Sequence, residues 1–299
     1  MDPRPALLSA ERTRTSTIKG LIRELRPKQW TKNLLVFASA MFAGTLLEPE
    51  NLLRTVIAFI AFSFMSSTIY IINDIVDVEK DRLHPDKCHR PIASGVVSVP
   101  LGIVTAIVLA GVSIFLSLIV NVYLTGILLV YFVLNLSYSL HLKHIVLIDV
   151  MVIAAGFVLR ATAGAVAVGG HLTSWFVLCT MLLSLFLALG KRRHELELFE
   201  DQPDRRRKVL DHYSVNLLDQ LMVIVTGLTI MFYALYAASE DQRMMWSVPF
   251  VIYGVFRYYY LIHMKNAGGK PEEVLLTDKH ILVTVVLFGI VVIYIKQFS

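Results

Sequence analysis

Four oxygen-bearing side chains lie directly after a long apolar run at residues 56–72. In order along the chain they are Asn73, Asp74, Asp77 and Asp81. If this segment is one helix, all four fall within about a quarter of its circumference, and Glu79 points away from them. Carboxylates this close repel one another unless a cation lies between them. Because Mg²⁺ prefers hard oxygen ligands together with substrate phosphates, the pattern predicts a magnesium–diphosphate site at a membrane surface, with these four residues as metal ligands and catalytic groups.

Cations follow the carboxylates in the same stretch of chain. They are Arg82, Lys87 and Arg90. Pro85 lies among them and should end the helix. We expect Lys87 and Arg90 to curl back over the aspartates and, with Arg82, to bind a ligand that carries several phosphates, since arginine contacts phosphate oxygens bidentately. The alternative is a solvated cytoplasmic loop, but the acidic and basic halves of this block together favour the diphosphate site.

Further candidates for phosphate binding lie at the ends of other apolar runs. They are Lys28, Lys32, Lys143, Lys191 and Arg192, with Glu195 as an orienting or metal-assisting carboxylate. Each has an alternative interpretation. Lys28 and Lys32 flank Trp30, and on physical grounds alone this block fits an interfacial membrane anchor better than a phosphate site. Lys143 is equally consistent with a snorkelling lysine, and the last block with stop-transfer cations.

Arg160 stands alone within the fifth predicted span, between Leu159 and Ala161. A charge near the middle of a membrane costs roughly 2.5–3.5 kcal/mol on insertion scales, so such a residue usually faces a polar cavity. A ligand-facing role is therefore favoured. A structural pair with Asp149 stays open, although about three helical turns separate the two positions.

The composition is that of an integral membrane protein. Of the 299 residues, 56% are hydrophobic and 17% are charged, whereas a soluble domain has roughly 25% charged residues. Apolar runs of membrane-spanning length predict an all-α protein with nine transmembrane helices. The predicted spans are 30–47, 53–74, 100–119, 122–140, 145–168, 174–191, 217–238, 245–262 and 281–297. They are too long and too closely spaced for the strands of a porin.

Positive charge predicts the orientation of these spans. With nine helices, 24 of the 28 lysine and arginine residues fall on the side of the amino terminus, three fall on the other side, and Arg160 lies inside a span. By the positive-inside rule, the amino terminus and the active-site loops are cytoplasmic, and the carboxy terminus lies on the far side of the inner (plasma) membrane. The net charge of +5 reflects this asymmetry and an attraction to phosphates, and it does not indicate nucleic acid binding.

The first residues differ in character from the rest. Residues 1–20 are polar and basic without an apolar core, so a secretory signal peptide is not expected. We predict a basic cytoplasmic lead over residues 1–24 and one transmembrane domain over residues 25–299. Cys88 and Cys179 fall in a cytoplasmic loop and inside a span, so neither a disulfide nor a zinc site is expected. A homo-oligomer is compatible with the sequence.

Several of these blocks together resemble the UbiA-type superfamily of intramembrane prenyltransferases. The resemblance covers nearly the whole chain after residue 25. It rests on the N-D-x-x-D-x-x-x-D pattern and on Arg26-Pro27, Gln29-Trp30, Lys32-Asn33, His84-Pro85, Arg90-Pro91-Ile92-Ala93, Leu142-Lys143-His144, Gly190-Lys191-Arg192, Glu195-Leu196, Gly269 and Pro271-Glu272 before Asp278. It implies a UbiA-type bundle of nine helices, cytoplasmic active-site loops, and Mg²⁺ held by the aspartate motif.

One departure from the wider superfamily narrows the expected substrate. Its aromatic prenyltransferases carry a second aspartate motif after span six, but here that place holds the cationic block that begins at Lys191. In this the chain is similar to the branch that transfers phosphoribosyl groups. That resemblance implies Mg²⁺-dependent transfer of 5-phosphoribosyl from phosphoribosyl diphosphate to a polyprenyl phosphate such as decaprenyl phosphate. The products are diphosphate and a lipid precursor for a cell-envelope polysaccharide such as arabinan.

Two other activities stay open. The first is a conventional prenyltransferase that moves a prenyl chain from prenyl diphosphate to an aromatic or other polar acceptor, and the missing second aspartate motif argues against it. The second is a transporter, in which intramembrane charges line a pathway. The concentration of charge at one membrane face, with hardly any charge in the membrane centre, argues against transport.

Overall fold

The computed structural model describes residues 16–85, 87–170, 173–199, 207–265, 268–269, 273–274 and 277–297. These ranges contain helices and turns and no strand, which confirms the all-α prediction for them. A helix over residues 16–24 and a 3₁₀ helix at Pro27–Leu34 begin the described chain. The α-helices that follow are α1 (Leu35–Phe42), α2 (Pro49–Val76), α3 (Val78–Leu83), α4 (Val99–Val120), α5 (Val122–Leu140), α6 (Ile148–Ala167), α7 (Ser174–Leu198), α8 (Val215–Glu240), α9 (Val248–Lys265) and α10 (Lys279–Gln297).

Seven helices of the described chain are long and apolar enough to cross a membrane. They are α2, α4, α5, α6, α7, α8 and α10. The other two of the nine predicted spans do not correspond to any of these seven helices. The span predicted at 30–47 is a 3₁₀ helix followed by the eight residues of α1, too short to cross a bilayer as one straight α-helix. The span predicted at 245–262 is α9, in which Arg257 and a run of tyrosines lower the hydropathy.

The chain divides into two compact units. The first combines Met1–Asn33 with Ile57–Phe132, and the second combines Leu34–Val56 with Val133–Ser299. Within the first unit, Leu21 and Leu25 pack against a core that includes Ile71. The helix at 16–24 therefore packs within this unit, and the division into a lead over residues 1–24 and a transmembrane domain over residues 25–299 stays a prediction. Residues 1–15 of the predicted lead lie outside the described residues.

In the second unit, α1 and α6 approach so closely that their backbones almost touch. The Ser39 hydroxyl donates a hydrogen bond to the Ala161 carbonyl oxygen over 2.5 Å. A Cβ atom at Gly164 would lie 2.0 Å from the Val36 carbonyl oxygen. Small residues of this kind allow helices to pack tightly inside membranes, where van der Waals contact and hydrogen bonds replace the hydrophobic effect.

We expect Gly164→Ala to destabilise the protein by on the order of 1–3 kcal/mol, because the new methyl group meets backbone that cannot rotate away. Thermal unfolding in detergent measures this. Gly289→Ala in α10 is the matched control, since its Cβ meets no atom of the described chain within 4 Å. Equal unfolding temperatures for the two variants would contradict the close approach of α1 and α6.

Candidate active site

A pair of buried aspartates forms the centre of the candidate site in the first unit. Asp74 lies in the last turn of α2 and Asp81 in α3, and each residue is 2% exposed. The Arg90 Nη1 atom donates to both carboxylates, over 2.8 Å to Asp74 Oδ1 and 2.6 Å to Asp81 Oδ2. Arg26 Nη2 donates to Asp74 Oδ2 over 2.5 Å. Two arginines therefore neutralise charges that would be costly to bury alone.

The loop after the aspartates turns back over them, as the sequence predicts. The helix that ends at Leu83 is followed by Pro85, and Lys87 Nζ lies 3.9 Å from Asp81 Oδ1. Arg82 turns elsewhere: its Nη1 donates to Glu79 Oε1 over 2.7 Å. The return of Lys87 and Arg90 is confirmed, and binding of phosphate by the three cations stays a prediction.

The four oxygen-bearing residues do not lie on one uninterrupted helix. The helical run breaks at Asp77, whose φ of −94° and ψ of 8° separate α2 from α3. Asp77 lies 3.7 Å from Lys80 Nζ, with its side chain 32% exposed, and Asn73 is half-buried. The helix is therefore interrupted at Asp77, although backbone bonds from Asp77 N–H to the Asn73 carbonyl oxygen and from Asp81 N–H to the Asp77 carbonyl oxygen continue across the break, and the shared metal site of the four residues stays a prediction. Among the described residues, no three acidic, histidine or cysteine side chains are close enough to hold a metal without further ligands.

The segment before α1 contributes groups that the sequence analysis did not assign to the site. Arg26 has a positive φ of 51°, a strained conformation for a residue before proline. The Ser67 hydroxyl holds this turn by donating to the Leu25 carbonyl oxygen over 2.7 Å. The Arg26 guanidinium also lies 4.8 Å from the centre of the Tyr70 ring. Arg26 belongs to the block that carries the family resemblance, and that membership is the feature of the sequence that could have assigned it to the site.

Glu24 is a second unpredicted neighbour of Asp74. The residue is 1% exposed. Burial, together with a hydrogen bond to Asp74 and repulsion by its charge, raises the pKa of Glu24 to about 8. Arg26 and Arg90 act in the opposite direction and limit the rise of this pKa. Nothing in the sequence distinguishes Glu24 from the other charged residues of the predicted lead.

The block around Trp30 is anchored within the first unit. The Trp30 indole donates to the Ser67 hydroxyl over 3.1 Å, and its ring packs edge-on against Phe64. Lys32 Nζ donates to Gln29 Oε1 over 2.7 Å, whereas Lys28 is exposed. Trp30 thus packs against α2, and phosphate binding by Lys28 and Lys32 stays a prediction.

In the second unit, Arg192 lies at the centre of a buried hydrogen-bond network. It is 1% exposed, and Nε donates to Asp149 Oδ2 over 2.6 Å. Its other nitrogens donate to Glu195 Oε2 over 2.7 Å and to the Tyr138 hydroxyl over 3.1 Å. Asp149, which the sequence analysis left open as a partner of Arg160, pairs with Arg192 instead. The geometry favours a structural role for Arg192 over the predicted contact with phosphate.

Tyr213 closes this network from the chain before α8. Its hydroxyl donates to Asp149 Oδ1 over 2.8 Å and accepts from the Leu147 backbone N–H over 2.7 Å. Burial and the hydrogen bond to Asp149 raise the pKa of Tyr213 to about 12. Leu147 has a positive φ of 66°, so this bond holds a strained residue at the start of α6.

The remaining predicted cations of the second unit lie apart from this network. Arg160 is 7% exposed, donates to the Gly156 carbonyl oxygen over 2.9 Å, and stacks over Phe157. Lys143 and Lys191 are half-buried. The His144 pKa is lowered, first by partial burial and then by nearby cations, of which Lys143 is the strongest. Phosphate binding by these cations stays a prediction.

The first unit has the donor set that a divalent cation with a diphosphate requires. Mg²⁺ is usually held by one or two carboxylates together with substrate phosphates and water. Asp74 and Asp81 supply such carboxylates, and Asn73 and Asp77 lie in the adjoining turns. The arginines beside them are suited to phosphate oxygens. The residues present therefore fit Mg²⁺, although as a pair of buried aspartates with neighbours and not as a closed cage.

Comparisons with known proteins find relatives over most of this chain. A family model described as the UbiA prenyltransferase family matches residues 34–275. A decaprenyl-phosphate phosphoribosyltransferase of Corynebacterium glutamicum is 39% identical over 87% of this chain and 81% of its own length. A protein of the same name from Mycolicibacterium smegmatis is 36% identical over 88% and 87%.

The fold also matches solved structures. A UbiA homolog from Archaeoglobus fulgidus, bound to GPP and Mg²⁺, superposes with a TM-score of 0.74. The match covers 94% of this chain and all of the other, at 18% sequence identity. At that identity the likeness shows the fold alone.

We expect Arg192→Met to destabilise the protein by about 3–5 kcal/mol, because it leaves the buried Asp149 carboxylate without its charged partner. Thermal unfolding in detergent measures the loss. Arg54→Met is the control, since Arg54 forms an exposed pair with Glu50 and such pairs contribute at most about 1 kcal/mol. If both variants unfold like the wild type, Arg192 does not have the structural role assigned to it.

Proposed function

Because this chain belongs to the UbiA prenyltransferase family, we propose that it transfers the 5-phosphoribosyl group of phosphoribosyl diphosphate to a polyprenyl phosphate. The similarity to two decaprenyl-phosphate phosphoribosyltransferases over more than 80% of each chain supports this reaction. The observation that carries it is the buried pair of aspartates with Arg26 and Arg90 on it. Such a set is suited to a metal-bound diphosphate.

We assign the diphosphate end of the donor to the first unit. Asp74 and Asp81 would hold Mg²⁺, with Asn73 and Asp77 assisting from the adjoining turns. With Mg²⁺ on these carboxylates, the guanidinium groups of Arg26 and Arg90 would be available to phosphate oxygens, together with Arg82 and Lys87 of the same stretch of chain. These residues orient the leaving group and keep it in place.

The bond changes follow from the chemistry of the two substrates. The bond between ribose C1 and the diphosphate oxygen breaks, and the electron pair leaves with the diphosphate. Bound Mg²⁺ would stabilise that leaving group and so favour an oxocarbenium-like transition state. An oxygen of the lipid phosphate forms the new bond to C1 from the opposite face. No general base is needed, because this oxygen is already anionic.

We assign the 5-phosphate of the donor and the phosphate of the lipid acceptor to the other predicted cations as a group, without matching each cation to one phosphate. Lys28 and Lys32 belong to the first unit, and Lys143, Arg160 and Lys191 belong to the second. Glu195 and Arg192 support their own helix through the network with Asp149. A decaprenyl phosphate-like acceptor and a role in cell-envelope polysaccharide synthesis are part of this proposal.

The proposed placement follows the charge pattern. We place the protein in the inner (plasma) membrane with nine spans, and the loop after α2 and the amino terminus in the cytoplasm. Seven helices of the described chain support the multi-span character. Phosphoribosyl diphosphate is a water-soluble, highly charged donor, so a cytoplasmic site would meet it directly.

Prenyl transfer to an aromatic or polar acceptor is the second candidate. The aspartate motif favours it, because a prenyl diphosphate presents the same leaving group as phosphoribosyl diphosphate. The cationic block at Lys191, where an aromatic prenyltransferase of this superfamily carries aspartates, favours phosphoribosyl transfer. Transport is the least supported reading.

The purified protein in detergent should release diphosphate only when Mg²⁺, phosphoribosyl diphosphate and a polyprenyl phosphate are all present. Label from the ribose should appear in the lipid product. If only prenyl diphosphate with an aromatic acid gives turnover, the protein is a conventional prenyltransferase. Movement of lipid across liposomes without turnover would instead indicate a transporter.

Asp74→Asn and Asp77→Asn should each abolish transfer, because they remove carboxylates from the proposed metal-binding set. Glu79→Gln is the control, since Glu79 is exposed and pairs with Arg82 on the outside of α3. Diphosphate release is the measurement, and unfolding temperature verifies that each variant is folded. Near-native turnover by a folded Asp74→Asn variant would overturn the assignment.

Chelation should stop transfer, and added Mg²⁺ should restore it. The physical reason is that Arg26 and Arg90 stay paired with Asp74 and Asp81 unless a metal ion takes these carboxylates and leaves the arginines to the diphosphate. Diphosphate release is followed with EDTA and then with excess Mg²⁺, and Na⁺ at equal ionic strength is the control. Unchanged turnover in EDTA would contradict the metal site.

A further inference from the structure

One buried carboxyl group of the first unit has no part in the reaction as described so far. Glu24 is 1% exposed, and its Oε1 atom has no hydrogen-bond partner. The charged groups that act on it are Asp74, Arg26 and Arg90, all members of the candidate site. A buried carboxyl oxygen without a partner costs free energy. Its position therefore indicates a ligand that is not part of the polypeptide.

The segment that carries Glu24 is held firmly in place. A Cβ atom at Gly20 would lie 2.7 Å from Val96 Cγ1, so the helix at 16–24 packs closely against the chain after the loop. Leu21 packs in the core beside this contact. At the other end, the hydrogen bond from Ser67 fixes the Leu25 carbonyl oxygen. Glu24 is thus directed at Asp74 by contacts on both sides of it.

The cations of this cluster do not satisfy all of its carboxyl oxygens. Three carboxyl groups, Glu24, Asp74 and Asp81, lie beside three cations, Arg26, Arg90 and Lys87. Arg26 and Arg90 each donate to an aspartate, and Glu24 Oε1 has no hydrogen-bond partner. A divalent cation that takes one or two carboxylates and completes its shell with water and phosphate oxygens matches this arrangement.

We propose that Glu24 and Asp74 together bind the divalent cation, so that the helix before the first span supplies a metal ligand. This rests on the proposed function only for the identity of the phosphate ligand. The aspartate motif is then not the whole of the metal-binding set: a residue about fifty positions earlier in the chain completes it.

The test is a titration of the full-length protein in detergent with Mn²⁺, a paramagnetic substitute for Mg²⁺, followed by electron paramagnetic resonance. Glu24→Gln keeps the shape of the side chain and removes its charge, and we expect it to weaken Mn²⁺ binding at least about tenfold. Glu79→Gln should bind like the wild type. Each titration is run with and without inorganic diphosphate, which supplies the phosphate oxygens.

Wild-type affinity in a folded Glu24→Gln variant would overturn the proposal, as would the absence of Mn²⁺ binding by the wild type in both conditions. If Glu24→Gln does not fold, Glu24→Asp replaces it. This variant keeps the charge but shortens the reach by one methylene, and it should also bind Mn²⁺ more weakly than the wild type. Equal affinity of Glu24→Asp and wild type would then overturn the proposal.

The same preparations separate this inference from the proposed reaction. If the wild type transfers phosphoribosyl groups and Glu24→Gln binds Mn²⁺ like the wild type, Glu24 is not a metal ligand and the proposed reaction is still supported. If Glu24→Gln binds Mn²⁺ more weakly and the wild type accepts only prenyl diphosphate, Glu24 is a metal ligand but the proposed phosphoribosyl transfer is wrong.

Discussion

Burial of negative charge at the end of an apolar helix is the constraint on which the first unit depends. Asp74 and Asp81 are almost fully buried, and an uncompensated carboxylate there would cost several kcal/mol. Arg90 compensates both through one nitrogen, so the loop after α3 must return to the end of α2. Arg26 compensates Asp74 from the other side, which requires the strained turn before Pro27. The paths of the turn before Pro27 and of the loop after α3 thus follow from the need to pair the buried carboxylates of Asp74 and Asp81.

The second unit also buries negative charge, but it compensates that charge with a different arrangement of partners. Around Arg192 every acidic partner is matched by a donor, and Tyr213 carries the network on to a backbone N–H. A saturated network of this kind is suited to holding α6 and α7 in register. In the first unit the arginines are partly exposed and one carboxyl oxygen is unpartnered. This contrast distinguishes the cluster that is suited to binding a ligand from the one that is suited to supporting a helix.

Local features of this site were predictable from the sequence, and tertiary ones were not. The helix stop at Pro85 and the return of Arg90 to the aspartates involve residues at most sixteen positions apart. The contact of Arg26 with Asp74 spans 48 positions, and that of Arg192 with Asp149 spans 43. Reasoning along single helices offered Asp149 only Arg160 as a possible partner, because helical periodicity relates only residues of one helix. Apolarity alone likewise did not show that the first predicted span begins as a 3₁₀ helix and continues as a short α-helix over residues 27–42.

The arrangement around Asp74 also explains how one set of side chains could serve with and without ligands. A guanidinium binds carboxylate and phosphate oxygens with the same planar geometry and at similar distances. On the proposed function, Asp74 and Asp81 would hold the cation, and Arg26 and Arg90 would then be available to the oxygens of the diphosphate. One set of oxygen acceptors would replace another around the same two arginines. Glu24 would gain a partner in the same arrangement, because its Oε1 atom is the buried carboxyl oxygen of this cluster that has no hydrogen-bond partner.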